Sequence, residues 1–151
     1  MEIIPSLKLI SFERGFIRAL YLSGTVEFAE DFTNTLLGGA AALDLPGFRN
    51  FVVHFHAHEE GGFQITPVWA MPMSIGELEL LYDGFIDYWF LTDDGSSSQF
   101  HFSSQFKINA ARALGFEKRL YLGIEYEFWL NKFGIKDVNE KNLNALVKYH
   151  F

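Results

Sequence analysis

The chain has 151 residues, 49% of them hydrophobic and 17% aromatic, with no cysteine. So apolar a composition excludes a disordered chain, and the missing thiol excludes disulfide scaffolds, thiolate zinc sites and cysteine nucleophiles. A formal charge of -7 argues against wrapping a nucleic-acid backbone, and no run approaches the ~20 apolar residues of a membrane helix.

The opening Met1-Glu2-Ile3-Ile4-Pro5 has no basic stretch leading into an apolar one, so no export signal is visible in it. Residues 6–13 fit part of a strand. Beyond them the hydropathy alternates with period 2 almost to the last residue, which predicts β-strands. Eight strands are expected, over 17–29, 35–45, 50–59, 63–73, 78–91, 98–111, 118–131 and 142–151. In the third, Phe51, Val53, Phe55 and Ala57 oppose Val52, His54, His56 and His58. In the fifth, Tyr82, Gly84, Ile86, Tyr88 and Phe90 oppose Asp83, Phe85, Asp87 and Trp89. In the sixth, Phe100, Phe102, Phe106 and Ile108 oppose His101, Ser103, Gln105 and Lys107. In the seventh, Leu120, Leu122, Ile124, Tyr126 and Phe128 oppose Tyr121, Glu125, Glu127 and Trp129. Turn signals such as Pro46-Gly47, Gly61-Gly62, Ile75-Gly76-Glu77 and Asp93-Asp94-Gly95 separate the runs. Ala110-Ala111-Arg112-Ala113-Leu114 reads as the end of a strand rather than a helical turn, and Gly38-Gly39-Ala40-Ala41-Ala42 as a strand beside a bulky neighbour or an inward loop.

Runs of ten to fourteen residues exceed the usual five or six of a soluble sandwich and match the ~9–11 of a tilted membrane strand. The expected fold is therefore all-β, an antiparallel up-and-down transmembrane β-barrel forming a single domain over 1–151. Three features turn the apolar face toward lipid. The apolar faces of the best strands carry no charge. Trp69, Tyr82, Tyr88, Trp89, Phe90, Tyr126, Phe128, Trp129 and Tyr149 crowd toward strand ends, as interfacial girdles do. The last strand closes on Phe151, a terminal aromatic of the kind the outer-membrane assembly machinery reads. Two other readings remain open: a soluble lipocalin-like ligand-binding barrel with the apolar face inside, and a structural barrel without transport.

The ordered set Leu43-Asp44-Leu45-Pro46-Gly47-Phe48, Gln64-Ile65-Thr66-Pro67-Val68-Trp69, Tyr82-Asp83-Gly84-Phe85-Ile86-Asp87-Tyr88-Trp89, Tyr126-Glu127-Phe128-Trp129-Leu130-Asn131-Lys132-Phe133-Gly134-Ile135 and Leu146-Val147-Lys148-Tyr149-His150-Phe151 resembles the nucleoside-specific channel-forming (Tsx-like) outer-membrane proteins. The resemblance implies part of a twelve-stranded barrel lacking about its first third, and passive passage of nucleosides across a bacterial outer membrane.

Candidate solute contacts lie on the polar face: Tyr21, Glu27, Asp83, Asp87, Trp89, His101, Gln105, Tyr121, Glu125 and Glu127. Aromatic rings offer stacking surfaces and carboxylates accept from hydroxyls, while Glu125 or Glu127 paired with Lys107 or Lys148 would instead form a self-satisfied wall. His54, His56 and His58 share a face, but a ~7 Å repeat suits two metal ligands better than three, so a polar wall is expected and no metal or other cofactor. Asp83 and Asp87 lie ~13 Å apart along the strand, too far for a glycosidase pair. No G-x-S-x-G, P-loop or G-x-G-x-x-G occurs, so no catalysis is expected. The expected partners are a small solute, outer-membrane lipid and the assembly machinery, with no nucleic acid.

Overall fold

The computed structural model describes residues 2–3, 5–28, 33–58, 61–90, 97–113, 115 and 119–150. The strands are β1 (Glu2–Ile3), β2 (Ser6–Ser11), β3 (Ile17–Phe28), β4 (Thr33–Leu43), β5 (Asn50–His58), β6 (Phe63–Ile75), β7 (Leu78–Phe90), β8 (Gln99–Asn109), β9 (Arg119–Leu130) and β10 (Glu140–His150). They form one antiparallel meander in which each strand from β3 onward pairs with the next. Both β1 and β2 pair with β3 in one register, Glu2 opposite Glu27 and Ser6 opposite Ser23, so together they act as a single strand. Among the described residues the sheet is thus nine strands wide and is not closed.

Local chemistry sets the hairpins. Gly76 takes φ of +61° in a two-residue turn that places Ile75 opposite Leu78, so β6 runs two residues further than its hydropathy suggests. Between β9 and β10, Asn131 anchors the loop: its Nδ2 donates to the Ser98 carbonyl at 2.9 Å and its Oδ1 accepts from the Asp137 amide at 2.9 Å. The stretch expected to end a strand instead opens a short helix, α1 (Ala110–Ala113). The Asn109 side chain accepts from the Arg112 amide at 3.3 Å, a helix-capping bond, and alanine has the strongest helix preference.

The registers sort every long strand into two faces. One carries Leu22, Leu37, Phe55, Phe63, Phe106, Ile124, Leu143 and Val147, all exposed, with Ile124 at 52% and Leu143 and Val147 at 70%. The other carries Ser23, Thr25, His56, Gln64, Gln99, Ser103, Lys107 and Asn109, all buried, with Lys107 at 0%. The fold is therefore inverted relative to a water-soluble core: the polar face is shielded and the oily face is open. The sheet curls around the polar face, so that Lys148 of β10 and Asn50 of β5 line one cavity of about 320 Å³.

Trp69 departs from the expected girdle. It lies mid-strand on the apolar face and is buried, because Gly84 sits opposite it and leaves room for the indole between Tyr82 and Phe102, ring centroids 6.0 and 6.1 Å away. A methyl group at Gly84 would collide with the Ser103 backbone and the Trp69 ring. Trp89 and Trp129 stay near their strand ends, and their registers place them on the polar face, as the alternation expects, beside Gln99 and His101.

Candidate functional site

Cross-strand registers place the polar face in transverse rows. Tyr21 is opposite Ala40, Ala40 opposite His54, His54 opposite Thr66, Asp87 opposite His101, His101 opposite Trp129, and Trp129 opposite Glu140. Thr66 closes the gap between β6 and β7 by donating to Asp87 Oδ1 at 2.5 Å, and Gln64 Nε2 donates to the same oxygen at 2.9 Å. The β6–β7 ladder lapses here: paired residues run from Ile65–Tyr88 straight to Val68–Phe85. Pro67, which has no N–H to give, lies in the lapse.

Beside it lies a cavity of about 200 Å³, bounded by Thr25, His54, His56, Gln64, Thr66 and Asp87, with Val68 and Phe85 as an apolar wall. Ser23 reaches the same histidines from β3: its Oγ lies 2.6 Å from His56 Nε2 and 3.2 Å from His54 Nδ1. Those bonds pass over β4, which is possible because Gly38 stands between Ser23 and His56, and Ala40 beside them offers only a methyl group. The expected bulky neighbour of the Gly-Ala stretch is thus the histidine row of β5. His58 takes a different partner, Gln64 Oε1 at 3.2 Å. Among the described residues, no group of three or more His, Cys, Asp or Glu is arranged to hold a metal ion.

Two further clusters flank the cavity. On β7–β9, Lys107 donates to Asp83 at 2.5 Å and to Gln105 Oε1 at 2.9 Å, and Gln105 in turn donates to Glu125. The carboxylate that satisfies Lys107 is therefore Asp83, one strand away, and not Glu125 or Glu127. Toward the β9–β10 hairpin, His101 stacks on Trp129 at 4.2 Å and 9°, with Phe85 edge-on at 5.2 Å and Glu127 3.9 Å from its Nε2. Trp89 lies edge-on to both Trp129 and His58. The indole nitrogens of Trp89 and Trp129 and the Gln99 carbonyl oxygen are buried without a hydrogen-bond partner among the described residues. The Lys132 ammonium lies over the Trp129 ring, 4.9 Å from its centroid.

Asp83, Gln105 and Glu125 of the sequence-derived candidates therefore meet in one polar chain, and Asp87, Trp89, His101 and Glu127 in the neighbouring aromatic one. Tyr21 shares their transverse row from the far side of the sheet, and Tyr121 is buried opposite Asn109. The side chain of Glu27, the loop residues Glu59 and Glu60, and the terminal Phe151 lie outside the described residues. Ser23, Val68, Phe85 and Gln99 were not foreseen as site residues. Ser23 and Gln99 carry a usable signal, since both occupy polar-face positions of the alternation. Val68 and Phe85 do not, because an apolar residue on a polar face announces no role until the wall it forms is seen.

No protein-family model, no curated protein and no solved structure matches the chain. What the fold defines is an all-β, up-and-down antiparallel meander whose polar face is turned inward.

Proposed function

We propose that the chain forms the wall of an outer-membrane β-barrel and serves as a passive channel for nucleosides or similar small solutes. One observation carries this reading: Lys107 has no exposed surface while Ile124, Leu143 and Val147 are half-exposed or more. In water, that arrangement would bury hydrogen-bonding groups and leave oily surface wet, at ~25 cal/mol for each Å² of apolar area. In a bilayer it is the stable one, because lipid accepts the apolar face while Asp83, Lys107, Gln105 and Glu125 bond to one another inside. A lipocalin-like carrier needs the opposite burial.

The open edges fit the same reading. In an up-and-down sheet of nine strands the first and last run in the same direction, so an all-antiparallel closure takes an odd number of further strands. A twelve-stranded barrel, which adds three, has the right parity, and closure removes the unpaired edges that β2 and β10 expose. Passage of solute follows from the polar rows, whose hydroxyls, imidazoles, carboxylates and indoles match the groups of a nucleoside. The movement proposed is passive, down the concentration gradient of the solute.

Two experiments test the proposal. Folded chain should require detergent or lipid and migrate differently on a gel before and after boiling; a monodisperse monomer in plain buffer sinks the membrane assignment. Reconstituted into liposomes, the protein should pass uridine faster than a sugar of equal size, and equal rates would leave only a general pore.

A further inference from the structure

We infer that His54 and His56, with Ser23 between them, form a labile binding site for a divalent transition-metal ion, copper(II) foremost. The inference concerns the inner face alone and holds whatever solvent meets the outer one.

Convergence of donor atoms is the first observation. The two histidines are neighbours on one face of β5, and their ring centroids lie 5.5 Å apart. His54 Nδ1 and His56 Nε2 both lie within reach of a single atom, Ser23 Oγ, at 3.2 and 2.6 Å. Two imidazoles that share one tetrahedral ion at ~2.1 Å hold their ring centres about 5 Å apart. The rings therefore already stand near the spacing of a formed site. A neutral imidazole carries one hydrogen on either nitrogen, so with that hydrogen on the outer atom each facing nitrogen offers a lone pair. The serine hydroxyl adds a neutral oxygen as a third contact.

Packing holds the donors in place. Ser23 is 1% exposed and His56 4%. Gly38 stands between them, and a methyl group there would meet the backbone of Phe55 and His56. The approach of β3 to the histidines is thus set by backbone contact, and ligands on paired strands keep their geometry better than ligands on loops. The adjoining cavity supplies the charge. Among the described residues its lining has one carboxylate, Asp87, and no lysine or arginine, so its field favours a cation, and water can enter to complete the coordination.

The ligand set selects the ion. Calcium and magnesium take oxygen ligands, whereas imidazole suits zinc, nickel and copper. Affinity of a nitrogen site along the first-row divalent ions peaks at copper(II). Two histidines, where a structural zinc site has four protein ligands, make the binding exchangeable. His58 is not part of the set, because its Nε2 meets Gln64 Oε1 at 3.2 Å and its ring lies edge-on to Trp89.

The test titrates the full chain in detergent micelles with copper(II) sulfate, read by equilibrium dialysis and by electron paramagnetic resonance. One ion should bind per chain, with its signal coupled to two imidazole nitrogens. His54→Gln and His56→Gln should each weaken binding by about tenfold or more, since loss of a mere outer-shell partner already costs ~10–100-fold, and should leave one imidazole coupling. Ser23→Ala should weaken binding and keep both couplings. His58→Gln and His101→Gln should leave affinity and spectrum unchanged. Zinc chloride should compete with copper, and magnesium chloride at equal concentration should not. Near-ultraviolet circular dichroism verifies that each variant is folded. A wild-type signal coupled to one imidazole or none overturns the inference, and this reading needs no variant to fold. Undiminished binding by folded His54→Gln or His56→Gln overturns it as well, as does loss of the signal in folded His58→Gln or His101→Gln.

Discussion

Lys107→Met probes the orientation of the sheet most directly. The side chain has no exposed surface, and its ammonium lies 2.5 Å from the Asp83 carboxylate and 2.9 Å from Gln105. At an effective dielectric constant of ~20, two unit charges at that separation attract by about 7 kcal/mol. Desolvation of both ions cancels most of it, so the intact pair contributes little net stability. Removing one partner is different. Methionine keeps the volume of lysine but leaves the largely shielded Asp83 with its countercharge gone, and its second oxygen, Oδ1, already has no partner among the described residues. Breaking such a pair costs ~3–5 kcal/mol; because the Asp83 side chain is about one-fifth exposed, the lower end is expected, about 3 kcal/mol. The assay is urea unfolding of the chain in detergent or lipid, followed by the fluorescence of Trp69, Trp89 and Trp129. With a slope of ~1–3 kcal/mol per molar urea, the midpoint should fall by ~1–3 M. The double variant Asp83→Asn/Lys107→Met should regain most of the loss, because neither charge is then left alone. If Lys107→Met unfolds within ~0.5 kcal/mol of the wild type, the lysine is solvated, the polar face does not turn inward, and the channel reading falls with it.

Ile124→Lys tests the other face: in a bilayer it should cost ~2–4 kcal/mol, whereas in water a half-exposed isoleucine is replaced at almost no cost, so an unfolding midpoint in lipid unchanged by the substitution refutes lipid contact. Gly84→Ala should destabilise by ~1–3 kcal/mol and change the emission of Trp69, because the methyl group drives into the Ser103 backbone and the indole; identical spectra and midpoints would disprove the close approach. Asp87→Ala leaves the Thr66 hydroxyl and the Gln64 amide without their shared acceptor and should cost about 2 kcal/mol in the same unfolding assay, with no loss if the carboxylate is solvated.

The strands were legible because a half-buried strand repeats every two residues, and the repeat does not depend on which face is wet. The faces of β5, β7, β8 and β9 follow residue for residue from that rule. Sequence patterning failed where another local force overrides the alternation. Asn109 caps a helix in a stretch whose polar–apolar pattern still allowed a strand, and Gly76 shortens a turn that composition alone made longer. The site was only half legible. Asp83, Gln105 and Glu125 fall on one face by parity, but their chain of bonds depends on the registers of β7, β8 and β9, which no single strand encodes. Trp69 misled for the same reason: its aromatic character suggested an interface, and the glycine that buries it lies on the next strand.

Side-chain size on the inner face connects these cases to the curvature of the sheet. On β4 the inward positions are Leu36, Gly38, Ala40 and Ala42, and Leu36, Ala40 and Ala42 are buried. Small residues there let β3 and β5 lean toward each other, close enough for Ser23 to reach two histidines across an intervening strand. At Gly38 the approach is so close that a methyl group would meet the backbone of Phe55 and His56. On β7–β9 the inward positions are instead long and polar, Asp83, Lys107, Gln105 and Glu125, and they bond to one another along the wall of the larger cavity. The same wall is thus tightly curled where its inner side chains are small and propped where they are large. The smaller cavity lies at the junction of the two regimes, next to the proline that interrupts the β6–β7 ladder. Gly38→Ala should therefore act on the cavity as well as on stability: by forcing β4 and β5 apart it should break the Ser23–His56 bond and weaken copper binding, while Gly123→Ala, whose added methyl would strike the Phe106 backbone and Lys107 on the propped side, should lower stability and leave binding intact. If both variants lose binding equally, curvature at β4 does not shape the cavity.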